Sequence, residues 1–390
     1  MAVENWVARE IEQLVEFRRD LHAHPELLYD VNRTAARVAD WLREAGVDVV
    51  HEGIGRTGVV GVIKGKSTSS GRMIGLRADM DALPIEEATG KAWASSVPGK
   101  MHACGHDGHT TMLIGAARHL AETRNFDGTV IVIFQPAEEG GAGADAMIKD
   151  GLFKRWPCQE VYGMHNRPNL EVGKFTTAAG PIMGSVDEIK IEIVGKGGHA
   201  AMPHGTIDPL PVAAALIQAI QSITARTVNP FDSAAVSLCT IHAGNAFNVV
   251  PQTLQMTGTV RTLKEEVRTH IEEHMRRMVT QIADSFGAVG RLEYIRHYPV
   301  TVNHAENVEL AAAAARIVAG EVNVTTDMSP TLGGEDFSFM LNEVPGAMIN
   351  IGNGPSAGLH HPEYDFNDDV IAWGCSYWTT LVRERLPINA

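Results

Sequence analysis

Cysteine is scarce in this chain: Cys104, Cys158, Cys239 and Cys375 are the four among 390 residues. They are scattered and offer no paired framework, so disulfides are not expected and a reduced, cytoplasmic setting is. No apolar run approaches the ~20 residues that a membrane-spanning helix needs, so none is expected. The first residues, with Glu4, Arg9, Glu10 and Glu12 among them, lack the apolar stretch of a secretory leader. Positive charge is short as well. Lys and Arg number 33 against 47 Asp and Glu, a formal net charge of −14. That argues against nucleic acid or an anionic membrane as partner, while leaving room for a local arginine that holds an anionic substrate. Repeats and low-complexity segments are also missing.

What is present describes a globular protein with ample core, 44% hydrophobic and long enough for two or three domains. Residues 6–23 carry apolar side chains near a 3.6-residue period, which predicts a helix closed off by Pro25. A second helix is expected from a capping Asn32 to Ala45. Strands are expected at 58–63, 73–77, 129–134 and 161–165, alternating with helices at 110–123 and 143–150. This alternation predicts an α/β domain of three layers on a mostly parallel sheet. Near Gly184 the pattern changes. Strand 187–194, helix 208–227, strands 235–242 and 254–261, helix 264–286 and strand 292–297 follow in the order β-α-β-β-α-β, a complete two-layer unit. The expected organisation is one domain from 1–183 plus 298–390, interrupted by an inserted domain at 184–297. The chain then returns with helix 308–319, strand 347–351 and helix 368–385.

The densest chemistry lies at residues 101–110, where His102, Cys104, His106 and His109 fall within eight residues. A thiolate and imidazoles at this spacing can reach one point, and zinc, manganese, cobalt and nickel all accept such a mixed set. Gly105 and Gly108 permit the turns this needs, and a helix is expected to begin at Thr110. Further donors sit at other strand ends. Glu138 and Glu139 follow the buried run 129–134, His165 ends the next strand, and His360 and His361 lie in a late loop. Two adjacent carboxylates point different ways, so one can bind a cation while the other acts as a general base.

Six motifs recur in a characteristic order: Arg77-Ala-Asp-Met-Asp81-Ala-Leu-Pro84, His102-Ala-Cys-Gly-His-Asp-Gly-His109, Gln135-Pro-Ala-Glu-Glu139, Gly198-His-Ala-Ala201, Gly333-Gly-Glu-Asp-Phe337 and Leu359-His-His-Pro362. Together they resemble the aminoacylase and hippurate hydrolase branch of the two-metal amidohydrolase and carboxypeptidase family, from about Arg18 to the end of the chain. The resemblance implies two divalent ions, of Mn, Zn, Co or Ni, one held by Cys104, Glu139 and His360 and the other by Cys104, His106 and His165. It implies Glu138 as general base and Asp81 as the carboxylate that orients a ligand or the base. At Asp79, related carboxypeptidases carry a histidine ligand; here an aspartate stands, and either it belongs to the site or both aspartates cap the following turn. Motif order makes His360 the ligand and His361 its neighbour, where relatives often have Asn or Ser. The Arg-Asp-Leu-His-x-His-Pro-Glu segment ending at Glu26 reads as scaffold near the site.

For the inserted domain the resemblance implies a lid and dimerisation role. His199 would reach a partner subunit's site to stabilise the oxyanion, Asn248 and Arg261 would hold substrate, and His204 would merely line its loop. The expected activity is metal-dependent hydrolysis of small N-acyl amino acids to a carboxylic acid and a free amino acid. The expected assembly is a homodimer, or something higher, without nucleic acid or membrane. A dipeptidase or carboxypeptidase on the same frame is the competing enzymatic reading. A noncatalytic metal-binding protein is the third, and a retained Glu138 argues against it.

Overall fold

A computed structural model describes residues 4–388 of the chain. In chain order the first elements are α1 (Val7–Ala23), α2 (Asn32–Glu44), β1 (Val49–Ile54), β2 (Gly58–Lys64), β3 (Met73–Asp79), α3 (His106–Thr123), β4 (Thr129–Gln135), α4 (Gly143–Lys149), β5 (Glu160–Pro168) and β6 (Phe175–Thr176). Next come β7 (Asp187–Val194), α5 (Pro209–Arg226), β8 (Ala234–Ala243), β9 (Thr253–Thr262), α6 (Glu265–Ser285) and β10 (Val289–Arg296). The chain closes with α7 (Ala305–Ala319), β11 (Val324–Thr325), β12 (Gly346–Gly354) and α8 (Val370–Arg385).

The chain divides into two compact units. The first comprises Met1–Gly180, Val302–Ser329 and Asp336–Ala390; the second comprises Pro181–Thr301 and Pro330–Glu335. The first unit holds an eight-stranded sheet in the order β1-β2-β4-β3-β5-β12-β6-β11. Its centre, from β4 through β3 and β5 to β12, is parallel. Strands β3 and β4 are buried along nearly their whole length, so both faces of the sheet are covered. Neighbouring residues of β5 show what covers them. A β-carbon at Gly163 would meet the Phe337 ring at 3.2 Å, while the methyl of Met164 lies 3.0 Å from where Gly374 of α8 would carry one. Successive side chains of a strand point to opposite faces, so helices lie on both and the unit has three layers.

Four local expectations are revised by the structure. Helix α3 begins at His106, not Thr110, so His106 and His109 lie on its first turn. Gly108 reads as a loop residue, yet it is a contact residue inside the helix: a β-carbon there would sit 2.2 Å from the Phe366 ring. Asn32 does not cap α2; the Glu26 carboxylate does so, accepting the backbone N–H groups of Arg33 and Thr34 at 3.1 and 2.8 Å. Strand β5 runs on to Pro168, which places His165 within the strand rather than at its end.

The second unit is a four-stranded antiparallel sheet in the order β8-β9-β7-β10, with α5 and α6 on one face. Strand β7 alternates strictly. Ile189, Ile191 and Ile193 are buried among Leu216, Ile220, Ile271 and Met275, while Glu188, Lys190 and Glu192 face away. Asp208 caps α5 by accepting the N–H of Leu210 at 2.9 Å. The Pro330–Glu335 segment joins this unit through the N–H of Gly184, which donates to Gly333 at 2.8 Å.

Candidate metal centre

The centre forms beyond the carboxyl ends of parallel strands, where open α/β sheets place their sites. Strand β3 delivers Asp79 and Asp81, β4 leads into Glu138 and Glu139, β5 carries His165, and the loop before α3 supplies Cys104. Gly105 makes the turn from Cys104 into α3 at a φ of 92°. A β-carbon there would sit 2.4 Å from Asn166 Oδ1 and 2.5 Å from the Tyr364 hydroxyl, so both the angle and the space require glycine.

Asp81 organises the acidic loop. Its carboxylate accepts the N–H of Glu138 at 2.9 Å and that of Glu139 at 3.1 Å, turning both residues toward the same region. Ala137, buried just before them, takes the left-handed φ of 55° that this turn imposes. Burial pushes the Asp81 carboxyl up despite the neighbouring His106. Asp79 makes different contacts: it pairs with Arg77 Nη1 at 2.8 Å and accepts from His109 Nδ1 at 2.7 Å. Burial alone would raise its pKa, but Arg77, His106 and His109 outweigh it and hold the carboxyl well below the usual range. Neither aspartate caps its own turn.

Two histidines are oriented as ligands are. His106 Nδ1 donates to the backbone carbonyl of Asp81 at 2.7 Å, and His165 Nδ1 donates to that of Asn166 at 2.7 Å. With those protons committed, each neutral ring presents the lone pair of Nε2, the tautomer that metal-binding histidines adopt. His165 Nε2 lies 3.4 Å from Cys104 Sγ. His106 Nε2 and Glu139 Oε1 are buried and have no aligned hydrogen-bond partner, and His360 Nε2 stands 3.2 Å from that same carboxylate oxygen. The donor atoms of Cys104, His106 and His165 all lie within 4.8 Å of one another, as do those of Cys104, Glu139 and His360. Two three-membered sets therefore share one sulfur.

The electrostatics suit cations. Burial, then Glu139, Glu138 and Asp79, push the Cys104 thiol well above its ordinary range. Burial opposes a charged His106, but Asp79, Asp81 and Glu139 together push it up to about 10. Burial, with His109 close by, pushes His165 down to about 3. His360, hydrogen-bonded to Glu139, is raised. A thiol surrounded by carboxylates, with ring nitrogens of His106, His165 and His360 close by, matches the borderline-soft donor set of divalent transition metals.

The structure brings Cys104, His106, Glu138, Glu139, His165 and His360 together, with Asp81 behind them. His102 lies outside both sets, and His109 stands beside them, its ring 4.5 Å from that of His165 and a ring nitrogen within 4.8 Å of the donor atoms of Asp79 and His106. His109 has both nitrogens engaged, the second lying 2.7 Å from Asn166 Oδ1. His102 faces His22, with ring centroids 6.2 Å apart. His361 is exposed and accepts the N–H of Glu363 at 3.1 Å, a turn contact, which separates it from His360. Sequence reading missed the buried Arg77 network. Arg77 also reaches Gln135 at 2.8 Å and Asp336 at 3.1 Å, so the arginine that sets the Asp79 charge is itself bound on three sides. All three partners stand in the recurring motifs, which was the available signal.

In the second unit His199 lies on the short strand Gly198–His199, paired with Val249. Its Nδ1 accepts the N–H of Ala201 at 3.1 Å, which leaves the proton of the neutral ring on Nε2. Asn248 is exposed and anchored by its carbonyl, which accepts the N–H of Ala200 at 3.1 Å. Arg261, on β9, is half-buried, and burial lowers its pKa; it forms no ion pair among the described residues. His204 stands exposed in a single 3₁₀ turn.

The family described as Peptidase family M20/M25/M40 matches residues 75–384. The chain is 41% identical over 371 residues to the hippurate hydrolase of Campylobacter jejuni, covering 95% of this chain and 96% of that one. It is 39% identical over 371 residues, with the same coverage, to an N-acetylcysteine deacetylase of Bacillus subtilis. A solved Bacillus subtilis structure, described as a dinuclear metal binding peptidase of the M20 family, superposes with a TM-score of 0.85 at 35% identity, covering 97% of this chain and 99% of that one. This chain belongs to the M20/M25/M40 peptidase family.

Proposed function

We propose that this enzyme hydrolyses the amide bond of small N-acyl amino acids, of the hippurate or N-acetyl type, to a carboxylic acid and a free amino acid. The observation that carries the reading is the pair of three-donor sets sharing Cys104, with a Glu138 carboxylate oxygen within 4.8 Å of the donor atoms of His106 and Glu139. Two divalent ions, of Mn, Zn, Co or Ni, would be held by Cys104, Glu139 and His360 and by Cys104, His106 and His165. When bound, such ions acidify a water and polarise a carbonyl. Glu138 takes the proton from the attacking water and passes it to the leaving amine. Asp81 keeps Glu138 in place through the backbone hydrogen bond described above. His199, its Nε2 proton free, donates to the oxyanion.

The second unit serves as lid and dimerisation domain, and the enzyme is a homodimer in which His199 completes the partner's site. Asn248 and Arg261 hold the substrate carboxylate. A half-buried guanidinium without a carboxylate partner supports that role, because an anion there gains a charge-assisted contact. Four scattered cysteines without a paired framework suit a reducing compartment, the cytoplasm. No helix among the described residues is long and apolar enough to cross a membrane.

The test compares benzoyl-glycine and N-acetyl amino acids with their carboxamides under identical metal loading. The acids should be cleaved and the amides poorly. Equal rates, or efficient cutting inside an unfolded protein, would contradict the carboxylate anchor. Mixing His199→Ala with Glu138→Gln chains should restore some active sites, and a strictly monomeric active enzyme would contradict the trans arrangement.

A further inference from the structure

Two histidines outside all six motifs sit together on the second unit. His270 and His274 lie four residues apart on α6, a spacing that makes them neighbours on one helical face. Their rings are 4.0 Å apart between centroids and tilted by 37°, and both residues are half-buried.

The hydrogen bonds around the pair decide which nitrogen of each ring keeps its lone pair. His274 Nδ1 lies 3.0 Å from the backbone carbonyl of His270. A carbonyl only accepts, so Nδ1 carries the proton of the neutral ring and Nε2 keeps the lone pair. His270 Nε2 lies 3.0 Å from the hydroxyl of Thr227, at the carboxyl end of α5. That hydroxyl has a single proton and donates it to the carbonyl of Ile223 at 2.7 Å. It therefore accepts from His270, which puts the ring proton on Nε2 and the lone pair on Nδ1. Each imidazole is thus held through one nitrogen by an oxygen acceptor and presents the other as a donor, as histidines that bind metals are held. Glu266, one turn before His270, and Glu273, three residues after it, are exposed on neighbouring helical positions, within reach to add a carboxylate oxygen. Paired imidazoles one helical turn apart chelate a metal, and imidazole suits zinc, copper and nickel.

We propose that His270 and His274 form a further binding site for one divalent transition ion, ligated through His270 Nδ1 and His274 Nε2 and belonging wholly to the second unit. The site uses no residue of the Cys104 centre, so it stands or falls apart from the amidohydrolase reading.

The experiment titrates Ni(II) into untagged enzyme whose Cys104 centre is already loaded, following uptake by calorimetry and elemental analysis. Wild type should bind one further ion per chain. His270→Ala and His274→Ala should each bind it more weakly by the ~10²–10⁴-fold that a second linked ligand contributes. Thr227→Val, which removes the acceptor that fixes the His270 ring, should weaken binding by ~10–100-fold, and Thr227→Ser should keep it near wild type. Hydrolysis of benzoyl-glycine should be the same in all four variants as in wild type. No further ion in wild type, or unchanged Ni(II) binding in both alanine variants, would overturn the site. Thr227→Val binding as tightly as wild type would overturn the assignment of the ring nitrogens.

Discussion

The two units hold their chemical groups in opposite ways. In the first, Asp79, Asp81, Cys104 and His106 are buried, and nearly every one is fixed by a second group: a backbone carbonyl, an arginine or a peptide N–H. In the second, His199 is exposed on a two-residue strand paired with Val249, Asn248 is exposed beside it, and Arg261 is half-buried on β9. Burial with fixed partners builds a field that is ready before substrate arrives. Exposure leaves groups free to meet a substrate and contribute binding. The first unit should therefore govern turnover and metal, and the second affinity and substrate choice.

The comparison can be broken at several places. The largest effect is expected from Glu138→Gln, which should keep its metal and lose turnover by ~10²–10⁴-fold, the worth of a general base. Activity within a few-fold of wild type would remove Glu138 from the role. Cys104→Ser should lose metal on dialysis, weakening affinity by more than the ~10–100-fold that losing an outer partner costs. Substitution of Cys158, Cys239 or Cys375 should leave metal content unchanged, as elemental analysis would show. Arg261→Ala should raise KM for N-acyl amino acids by about tenfold or more, as the loss of a charged contact does, with a smaller change in kcat. If kcat fell as far as kcat/KM, the division between the units would be wrong.

The smallest effect concerns stability. His22 Nδ1 lies 2.8 Å from the Asp107 carboxylate, at the start of the helix that carries His106. Burial disfavours the charged ring, but Asp107 and Glu87 overcome this and push His22 from 6.5 up to about 9. A raised pKa stabilises the fold fully below the ordinary histidine range, and the contribution is lost as pH rises through about 9. His22→Gln should therefore melt about 3 °C below wild type near neutral pH, a gap that narrows above the shifted pKa. A gap independent of pH would contradict the assignment.

How far the sequence could be read follows the same division. Strands β3 and β4 were legible because continuous apolar runs can only be buried. The exposed edge strand Val49–Ile54 was not, since it shows neither a run nor a clean alternation. Cys104, His106, Glu139 and His360 could be named from their motifs, and His165 from its place at the end of an expected strand. Spacing alone could not separate them from His109, whose nitrogens engage Asp79 and Asn166, 30 and 57 positions distant in the chain, or from His102, buried beside His22, 80 positions away. The Arg77–Asp336 pair, 259 positions apart, was beyond any local pattern.

Paired metal ions on a shared cysteine, with Glu138 as base, would make this chain an amide hydrolase. This assignment is tested most directly by stripping the protein with a chelator and titrating metal back while following both uptake and hydrolysis of benzoyl-glycine. The account predicts that activity returns as uptake approaches two ions per chain, and that Glu138→Gln takes up the same ions without turnover. A metal-free preparation that remains fully active would contradict it.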